Sequence, residues 1–201
     1  MNELEFAAVS PCDYADGLPR EQFMHYHIKP LWHKIPRIAG PAFTVKCAPG
    51  DHLMLHAAIY EAKPGDIIVC QADEKFAVSG GNVCAIAQKR GIAGFVIDGV
   101  VRDIEEVRDI QFPIFARGVC PKPGAKKVKE PLNQTIQCGG VTVHPGDIVV
   151  ADEEGIAVLP KALAAEVYEI GKKRRDKDAA LSLEQWQANH EQLIKDKLAS
   201  L

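Results

Sequence analysis

The sequence has no long hydrophobic run and no strong net charge. Its apolar runs are far shorter than the roughly 20 residues needed to cross a bilayer. Its first residues, MNELEFAAVSP, lack the basic and hydrophobic regions of a signal peptide. The formal net charge of −3 predicts no basic surface for nucleic acid. We therefore expect a cytoplasmic protein with neither a membrane nor a nucleic acid as its partner.

The sequence also lacks a CxxC motif and any regular cysteine spacing. Several of its six cysteines lie in apolar runs such as FTVKC and IIVC, where a thiol packs as a small hydrophobic group. In a chain of 201 residues this pattern favours free thiols in a reducing compartment over a disulfide framework.

The most informative stretch that is present is Gly91–Gly118. An apolar run, Ile92–Ile97, ends at Asp98, and the pair Arg102-Asp103 follows shortly. An amphipathic helical pattern and a second apolar run, Pro113–Ala116, come next. This order predicts a strand–loop–helix–strand unit with the Arg-Asp pair at the carboxyl end of the first strand, where open α/β sheets bind ligands.

Two interpretations of that pair are open from the residues alone. An arginine fork beside a carboxylate can hold an anionic substrate and a divalent cation together. Alternatively, Asp103 is the N-cap of the following helix, and Arg102 is a neighbouring surface residue.

A small-residue loop, Ala77–Asn82, precedes the helix predicted for Val83–Arg90. Gly80 and Gly81 permit close approach of a ligand to the backbone, and the helix N-terminus offers free N–H groups to an anion. Since this helix leads into the strand before the Arg-Asp pair, the loop is predicted to belong to the same site.

The remaining segments are predicted to be mainly structural. A helix over His52–Glu61 would begin at Asp51, and residues 119–135 would form a Lys/Pro-rich surface loop. The region after this loop is predicted to be a β-meander, followed by a helix from Ala162. His52 and His56 lie one helical turn apart and could chelate a metal, but the sequence offers no third ligand for it. Alternatively, the two histidines form a partly exposed edge of the helix.

Three runs carry a resemblance to a known family: RIAGPAFTVKCAPGDHLMLHAAIYEAKPGDIIV, GIAGFVIDGVVRDIEEV with FPIFARG, and CGGVTVHPGDIVVADEEGIAVLP. Together they resemble the class II pyruvate aldolases, which cleave 4-hydroxy-4-methyl-2-oxoglutarate or 4-carboxy-4-hydroxy-2-oxoadipate and in many cases decarboxylate oxaloacetate. The same family contains the regulator of ribonuclease activity A. The match covers roughly Arg37 to Pro160.

The resemblance implies an α/β fold with a β/β/α swivelling-domain-like sandwich. It implies one domain, 1–201, with an N-terminal arm (1–36) and a C-terminal helical tail (160–201). It further implies a homotrimer or a dimer of trimers, with active sites between subunits.

The resemblance also assigns site residues. Arg102 would contact the oxo-acid end of the substrate and the developing enolate, and Asp103 would ligate Mg²⁺ or Mn²⁺. The substrate-binding backbone falls on the run Gly80, Gly81, Asn82 and Val83. Glu106 matches an acid that the aldolases carry three residues after the aspartate, and it is expected in the outer coordination of the metal.

One position departs from the family pattern. Close aldolase relatives carry Asp or Glu immediately before the Asn82 position, where this chain has Gly81. As a whole, the resemblance implies a metal-dependent lyase that cleaves 4-hydroxy-2-oxo di- or tricarboxylic acids to pyruvate (or oxaloacetate) by a retro-aldol reaction, with oxaloacetate decarboxylase activity. The alternatives are a non-catalytic protein that regulates ribonuclease E and a related metal-dependent decarboxylase of another oxo acid.

Overall fold

Strands and helices alternate along the middle of the chain in the computed structural model, which describes residues 3–201. The first two residues of the predicted arm lie outside this range. The strands are β1 (Lys29–Pro30), β2 (Ile38–Lys46), β3 (Ile67–Gln71), β4 (Gly94–Val101), β5 (Ile114–Val119), β6 (Ile136–Cys138), β7 (Val141–Val143), β8 (Ile148–Asp152) and β9 (Gly155–Leu159). The helices are α1 (Glu3–Ala7), α2 (Leu53–Glu61), α3 (Gly81–Lys89), α4 (Ile104–Asp109), α5 (Ala164–Ala179) and α6 (Leu183–Ala199). Two 3-10 helices cover Asp13–Asp16 and Arg20–Gln22.

The main sheet has seven strands in the order β1-β5-β4-β3-β2-β8-β9. Its centre, from β2 through β3 and β4 to β5, is parallel. The two ends are antiparallel, because β1 pairs with β5 and β8 pairs with β2. The carboxyl ends of four neighbouring parallel strands therefore meet at one edge of the sheet.

The parallel centre is covered on both faces. The first four residues of β3 are fully buried, and successive residues of a strand point to opposite faces. Helix α2 and the small β6–β7 sheet both contact β2 and β3 and supply the covering layers. The predicted α/β fold with β/β/α layering and C-terminal helices is confirmed.

Strand β4 extends beyond the apolar run that predicted it, and the Arg-Asp pair lies at its carboxyl end as expected. The apolar run was expected to end at Asp98, but β4 continues to Val101, so Arg102 leaves the strand directly. Asp98 is accommodated in the strand because its carboxylate pairs with Arg117 and accepts the Gly139 N–H at 2.8 Å. At Gly99 a Cβ would lie 2.8 Å from the carbonyl oxygen of Asp73, so the strand needs glycine there.

The N-terminal segment belongs to the sheet rather than forming only a peripheral arm. Strand β1 pairs with β5, and the indole N–H of Trp32 donates to the carbonyl of Phe112 at 2.9 Å. Tyr14 packs in a second core with α5, and its hydroxyl donates to the carbonyl of Phe6 at 2.9 Å. Residues between 3 and Arg37 therefore contribute to the fold.

The C-terminal helices differ from each other in burial. Helix α5 buries Val167 and Tyr168, whereas α6 has no buried residue among those described. No helix within residues 3–201 has both the length and the apolar character that crossing a bilayer requires. The six cysteines are free thiols, as predicted.

Candidate active site

A cavity of about 460 Å³ opens at the carboxyl ends of the parallel strands. Each of the four strands is followed by a segment that lines it, which is the ligand position expected for an open α/β sheet. The lining residues are His52 and His56 after β2, Ala77, Val78, Ser79, Gly80, Asn82 and Val83 after β3, Arg102 and Asp103 after β4, and Pro123, Gly124 and Lys126 after β5.

The predicted pair stands side by side in this cavity. The Nε of Arg102 lies 3.3 Å from the Oδ2 of Asp103, and the two side chains are 43% and 35% exposed. Both charges are thus accessible from the cavity. The pair can offer a cation and a carboxylate to one small anionic ligand.

Asp103 does not cap the helix that it precedes. Its backbone is left-handed (φ 56°, ψ 39°), and its side chain makes no capping hydrogen bond to α4. Its Oδ2 instead accepts the N–H of Gly81, the first residue of α3, at 3.2 Å. The N-cap interpretation of Asp103 is therefore wrong, and the carboxylate lies between two helix N-termini.

Gly80 permits this arrangement through close packing. A Cβ at position 80 would lie 2.3 Å from the Oδ2 of Asp103 and 3.1 Å from the Cγ of Arg102. The sequence predicted that a ligand would approach the glycine loop closely. At Gly80 the side chains of Arg102 and Asp103 make this close approach.

Gly81 has a different neighbour, the carboxylate of Glu106. A Cβ at position 81 would lie 1.8 Å from the Oε2 of Glu106 and 2.9 Å from its Cβ. Glu106 therefore fills the space that a side chain at position 81 would enter. An acid at position 81 and an acid at position 106 would bring a carboxylate to the same place from different helices.

The predicted substrate-binding residues divide into two groups. Gly80, Asn82, Val83 and Arg102 line the cavity. Gly81 lies behind them, with its N–H on Asp103. The first-turn N–H groups of Asn82 and Val83 are not used by the helix itself, so they are available to an acceptor in the cavity.

His52 and His56 form a second polar wall that the sequence did not assign to this site. Their rings are stacked, with centroids 4.4 Å apart and planes 11° apart. His52 is only 7% exposed, and within residues 3–201 neither of its ring nitrogens has a hydrogen-bond partner. Burial, His52 and Lys126, in that order, lower the pKa of His56 to about 4.

His52 is also held neutral. Burial lowers its pKa, and the charges of Lys126 and Arg102 add to this effect. The backbone of Ala77 opposes the lowering, but it does not reach hydrogen-bond geometry with either ring nitrogen. No group of three His, Cys, Asp or Glu side chains in the described chain could hold a metal, so the histidine chelate gains no third ligand.

The Lys/Pro-rich segment after β5 was expected to be only a surface loop, but part of it lines the cavity. It is fastened by Asp51, which is 4% exposed. The Oδ2 of Asp51 accepts the N–H groups of Lys127 at 2.6 Å and Val128 at 3.2 Å, while its Oδ1 accepts that of Leu53 at 2.8 Å. This anchor positions Lys126 at the cavity rim. The available sequence signal was the position of the loop directly after a parallel strand.

Comparison with known proteins gives a consistent relationship. Residues 11–158 match the family described as RraA-like: Aldolase/RraA. The chain is 43% identical over 170 residues to a protein of Halalkalibacterium halodurans named "Putative 4-hydroxy-4-methyl-2-oxoglutarate aldolase", covering 84% of this chain and 79% of that one. It is 32% identical over 127 residues to a 4-hydroxy-4-methyl-2-oxoglutarate aldolase of Thermus thermophilus, covering 62% of this chain and 77% of that one.

Among solved structures, the chain resembles RraAS2 of Streptomyces coelicolor, described as an unusual member of the RNase ES inhibitor RraA protein family. The TM-score is 0.76 at 25% identity, over 88% of this chain and 92% of that one. The family match begins at residue 11, well before the region recognised from the sequence, in agreement with the structural role of the N-terminal segment. The chain belongs to the RraA-like Aldolase/RraA family.

Proposed function

We propose that this protein is a divalent-metal-dependent lyase that cleaves 4-hydroxy-2-oxo di- or tricarboxylic acids and releases pyruvate. We include oxaloacetate decarboxylation in the proposal, because it passes through the same enolate. The observation that carries the proposal is the Arg102–Asp103 pair, 3.3 Å apart in a cavity at the carboxyl ends of four parallel strands. The aldolase names of the sequence relatives support the cleavage reaction.

The carboxylates present fit Mg²⁺ or Mn²⁺. Hard cations of this kind are held in proteins by one or two carboxylates, and water and substrate oxygens complete the coordination. Asp103 would be the direct ligand, because its carboxylate faces the cavity. Glu106 would support the water shell from the space beside Gly81. When bound, the cation would supply Lewis-acid polarisation of the substrate's oxo group.

Arg102 would stabilise the charge that develops during cleavage. Breaking the C3–C4 bond leaves its electron pair on the pyruvate fragment as an enolate, and a proton from water then converts this enolate to pyruvate. At the same time C4 becomes a carbonyl carbon, and the 4-hydroxyl proton passes to a water molecule that acts as the base. The guanidinium of Arg102 offers parallel donors to the oxo-acid oxygens, which lysine cannot reproduce. The free N–H groups of Asn82 and Val83, at the positive end of α3, would add to the binding of the substrate anion.

The test is an assay of pyruvate release over a panel of oxo acids, with and without added Mg²⁺ or Mn²⁺. The panel contains 4-hydroxy-4-methyl-2-oxoglutarate, 4-carboxy-4-hydroxy-2-oxoadipate and oxaloacetate. Cation-dependent pyruvate release from at least one of them is the expected result. Absence of pyruvate release from all of them would refute the proposal.

A second candidate is a protein-binding regulator of ribonuclease E. The likeness to RraAS2, whose description includes RNase ES inhibition, favours this function, as does the replacement of an acid by Gly81. Inhibition of purified ribonuclease E by a preparation that releases no pyruvate would establish this candidate instead.

As part of the proposal, the lyase is a homotrimer or a dimer of trimers with sites between subunits, which light scattering of the purified protein would test.

A further inference from the structure

Helix α6 presents an apolar stripe that nothing else in the described part of the chain covers. None of its described residues is buried. Its large apolar side chains are between 42% and 75% exposed, and they are Leu183, Trp186, Leu193, Ile194 and Leu198. At helical spacing these positions fall on one side of α6, together with His190.

The sequence nonetheless stabilises this segment as a helix. Ser182 and Gln185 form a reciprocal capping box at its start, and Glu191 pairs with Lys195 one turn further along at 2.6 Å. A single helix of this length is only marginally stable in water, and most helices in proteins are stabilised by packing of an apolar face. The exposed stripe therefore indicates that α6 packs against a second molecule.

The first half of the stripe forms one side of a groove. This groove, of about 240 Å³, lies between α6 and the end of α5, and its lining includes Leu181, Trp186 and Leu193. The rings of Trp186 and His190 are stacked, with centroids 4.6 Å apart. Ile194, in the second half of the stripe, is not part of the lining. One half of α6 can therefore receive an apolar side chain, and the other half carries side chains that are free to enter such a groove.

The stripe is nearly symmetric about Gln192. Trp186 and Leu198 lie six residues on either side of this position, and His190 and Ile194 lie two residues on either side. Two copies of α6 that run antiparallel about an axis at Gln192 therefore place Trp186 against Leu198 and His190 against Ile194, each twice. A surface whose two halves fit each other in this way is suited to an isologous contact.

The charges of α6 favour the same antiparallel arrangement. About this axis every charged residue of the helix faces an uncharged one, as Lys197 faces Gln187. In a parallel pair in register, Glu184 and Glu191 would each lie beside the same residue of the other copy, and such like-charge contacts are destabilising. Antiparallel packing also brings the positive end of each helix dipole near the negative end of the other. The pattern of charges therefore fits a second copy of this chain.

We propose that α6 is an association helix, which pairs antiparallel with α6 of a second copy of this chain about Gln192. The pairing goes beyond the proposed lyase function and does not rest on it. In a closed assembly it doubles the number of subunits, so for the proposed trimer it is the contact that joins two trimers. The 17-residue helix is about 25 Å long, which makes the contact a small one whose formation depends on protein concentration.

Sedimentation velocity of the full chain, over a range of micromolar concentrations, measures this association. The wild type should reach twice the subunit number of Leu193→Glu, in which both copies place a carboxylate next to the axis of the apolar contact. Ala188→Glu is the matched control, because it adds the same charge to the opposite, polar side of the helix. This control should associate as the wild type does.

A charge pair distinguishes the antiparallel contact from other contacts. Trp186→Arg and Leu198→Glu should each lower the subunit number to that of Leu193→Glu. The double variant should regain the wild-type assembly, at a concentration raised by no more than about tenfold, because the new guanidinium of one copy faces the new carboxylate of the other. Within one helix the two positions are about 18 Å apart, so they cannot pair in the same chain.

Three results would overturn the inference. The first is a wild type with the subunit number of Leu193→Glu, as expected if another protein covers the stripe. The second is an Ala188→Glu variant that dissociates as Leu193→Glu does. The third is a double variant as dissociated as its two single variants, as expected if α6 docks on a different surface of the second copy. Pyruvate release by the same preparations tests the proposed function separately, since α6 does not line the cavity.

Discussion

Replacing Gly81 by alanine forces Glu106 out of its position beside the first turn of α3. The new Cβ would lie 1.8 Å from the Oε2 of Glu106, 2.8 Å from its Cδ and 2.9 Å from its Cβ. Rotation of the carboxylate alone cannot relieve contacts that extend to the Cβ. The side chain of Glu106 must therefore turn away from the glycine loop. Because this rotation leaves the Cβ of Glu106 in place, α3 and α4 must also move slightly apart at this point.

The fold should tolerate the Gly81→Ala change. The backbone of Gly81 is not in the left-handed region, so alanine meets no conformational strain there. Alanine in place of glycine in a helix contributes up to about 1 kcal/mol, which offsets part of the cost of moving Glu106. Overpacking costs about 1 to 3 kcal/mol, so we expect the free energy of unfolding to fall by about 1 to 2 kcal/mol. Loss of the supporting carboxylate should weaken Mn²⁺ binding by about 10- to 100-fold, the usual effect of removing an outer-shell partner.

A carboxylate exchange makes this prediction specific. In Gly81→Asp with Glu106→Gly, the acid comes from α3 instead of α4, and the Cβ at position 106 that would lie 2.9 Å from the new Cβ is removed. This double variant should bind Mn²⁺ within about fivefold of the wild type, because one outer-shell carboxylate is again present. Gly81→Asp alone places two carboxylates together and should be less stable than the double variant.

Titration of each variant with Mn²⁺, followed by electron paramagnetic resonance of the free ion, measures these affinities without requiring turnover. Glu105→Ala is the matched control, since it removes an exposed carboxylate from the same helix without touching Gly81. Wild-type Mn²⁺ affinity in Gly81→Ala and in Glu106→Ala would refute the role given to Glu106.

Three other changes have distinct expected outcomes. Asp103→Asn should keep the melting temperature, because asparagine tolerates a left-handed backbone, but should weaken Mn²⁺ binding at least tenfold in the same titration. Since the folded-state pKa of His56 is about 4 and an unfolded imidazole titrates near 6.5, the unfolded chain binds the extra proton between these values. The free energy of unfolding should therefore fall as pH is lowered from about 6.5 to about 4. Urea denaturation at a series of pH values should show a smaller fall for His56→Gln. Part of the fall that remains in this variant is due to His52, whose pKa is also lowered. Asp51→Ala leaves three backbone donors unpaired and should cost about 3 kcal/mol in urea denaturation, with increased hydrogen exchange around Lys126.

The Arg-Asp pair was predictable from the sequence because its signal is local. A strand, a polar pair and an amphipathic helix follow one another within Gly91–Gly118, and parallel sheets bind ligands where strands end. Whether the side chain of Asp103 caps α4 was not predictable locally. It depends on the N–H of Gly81, which comes from a different strand–helix unit.

The rest of the cavity depends on the order of strands in the sheet. His52, Gly80 and Lys126 lie on loops that follow three different parallel strands, and their proximity exists only once β2 to β5 are aligned. The sequence likewise shows Gly81 and Glu106 as two separate observations, a missing acid and a matching acid. The structure shows that a side chain at position 81 would enter the space that the side chain of Glu106 occupies.

The most direct test of the central claim is the rate of pyruvate release from 4-hydroxy-4-methyl-2-oxoglutarate with Mn²⁺, measured for the wild type and for Arg102→Ala. We predict cation-dependent turnover by the wild type and a loss of about 100- to 1,000-fold in kcat for the variant, the scale of removing one preorganised charge stabiliser. Near-full pyruvate release by a folded Arg102→Ala variant would contradict the assignment of this cavity as the catalytic site.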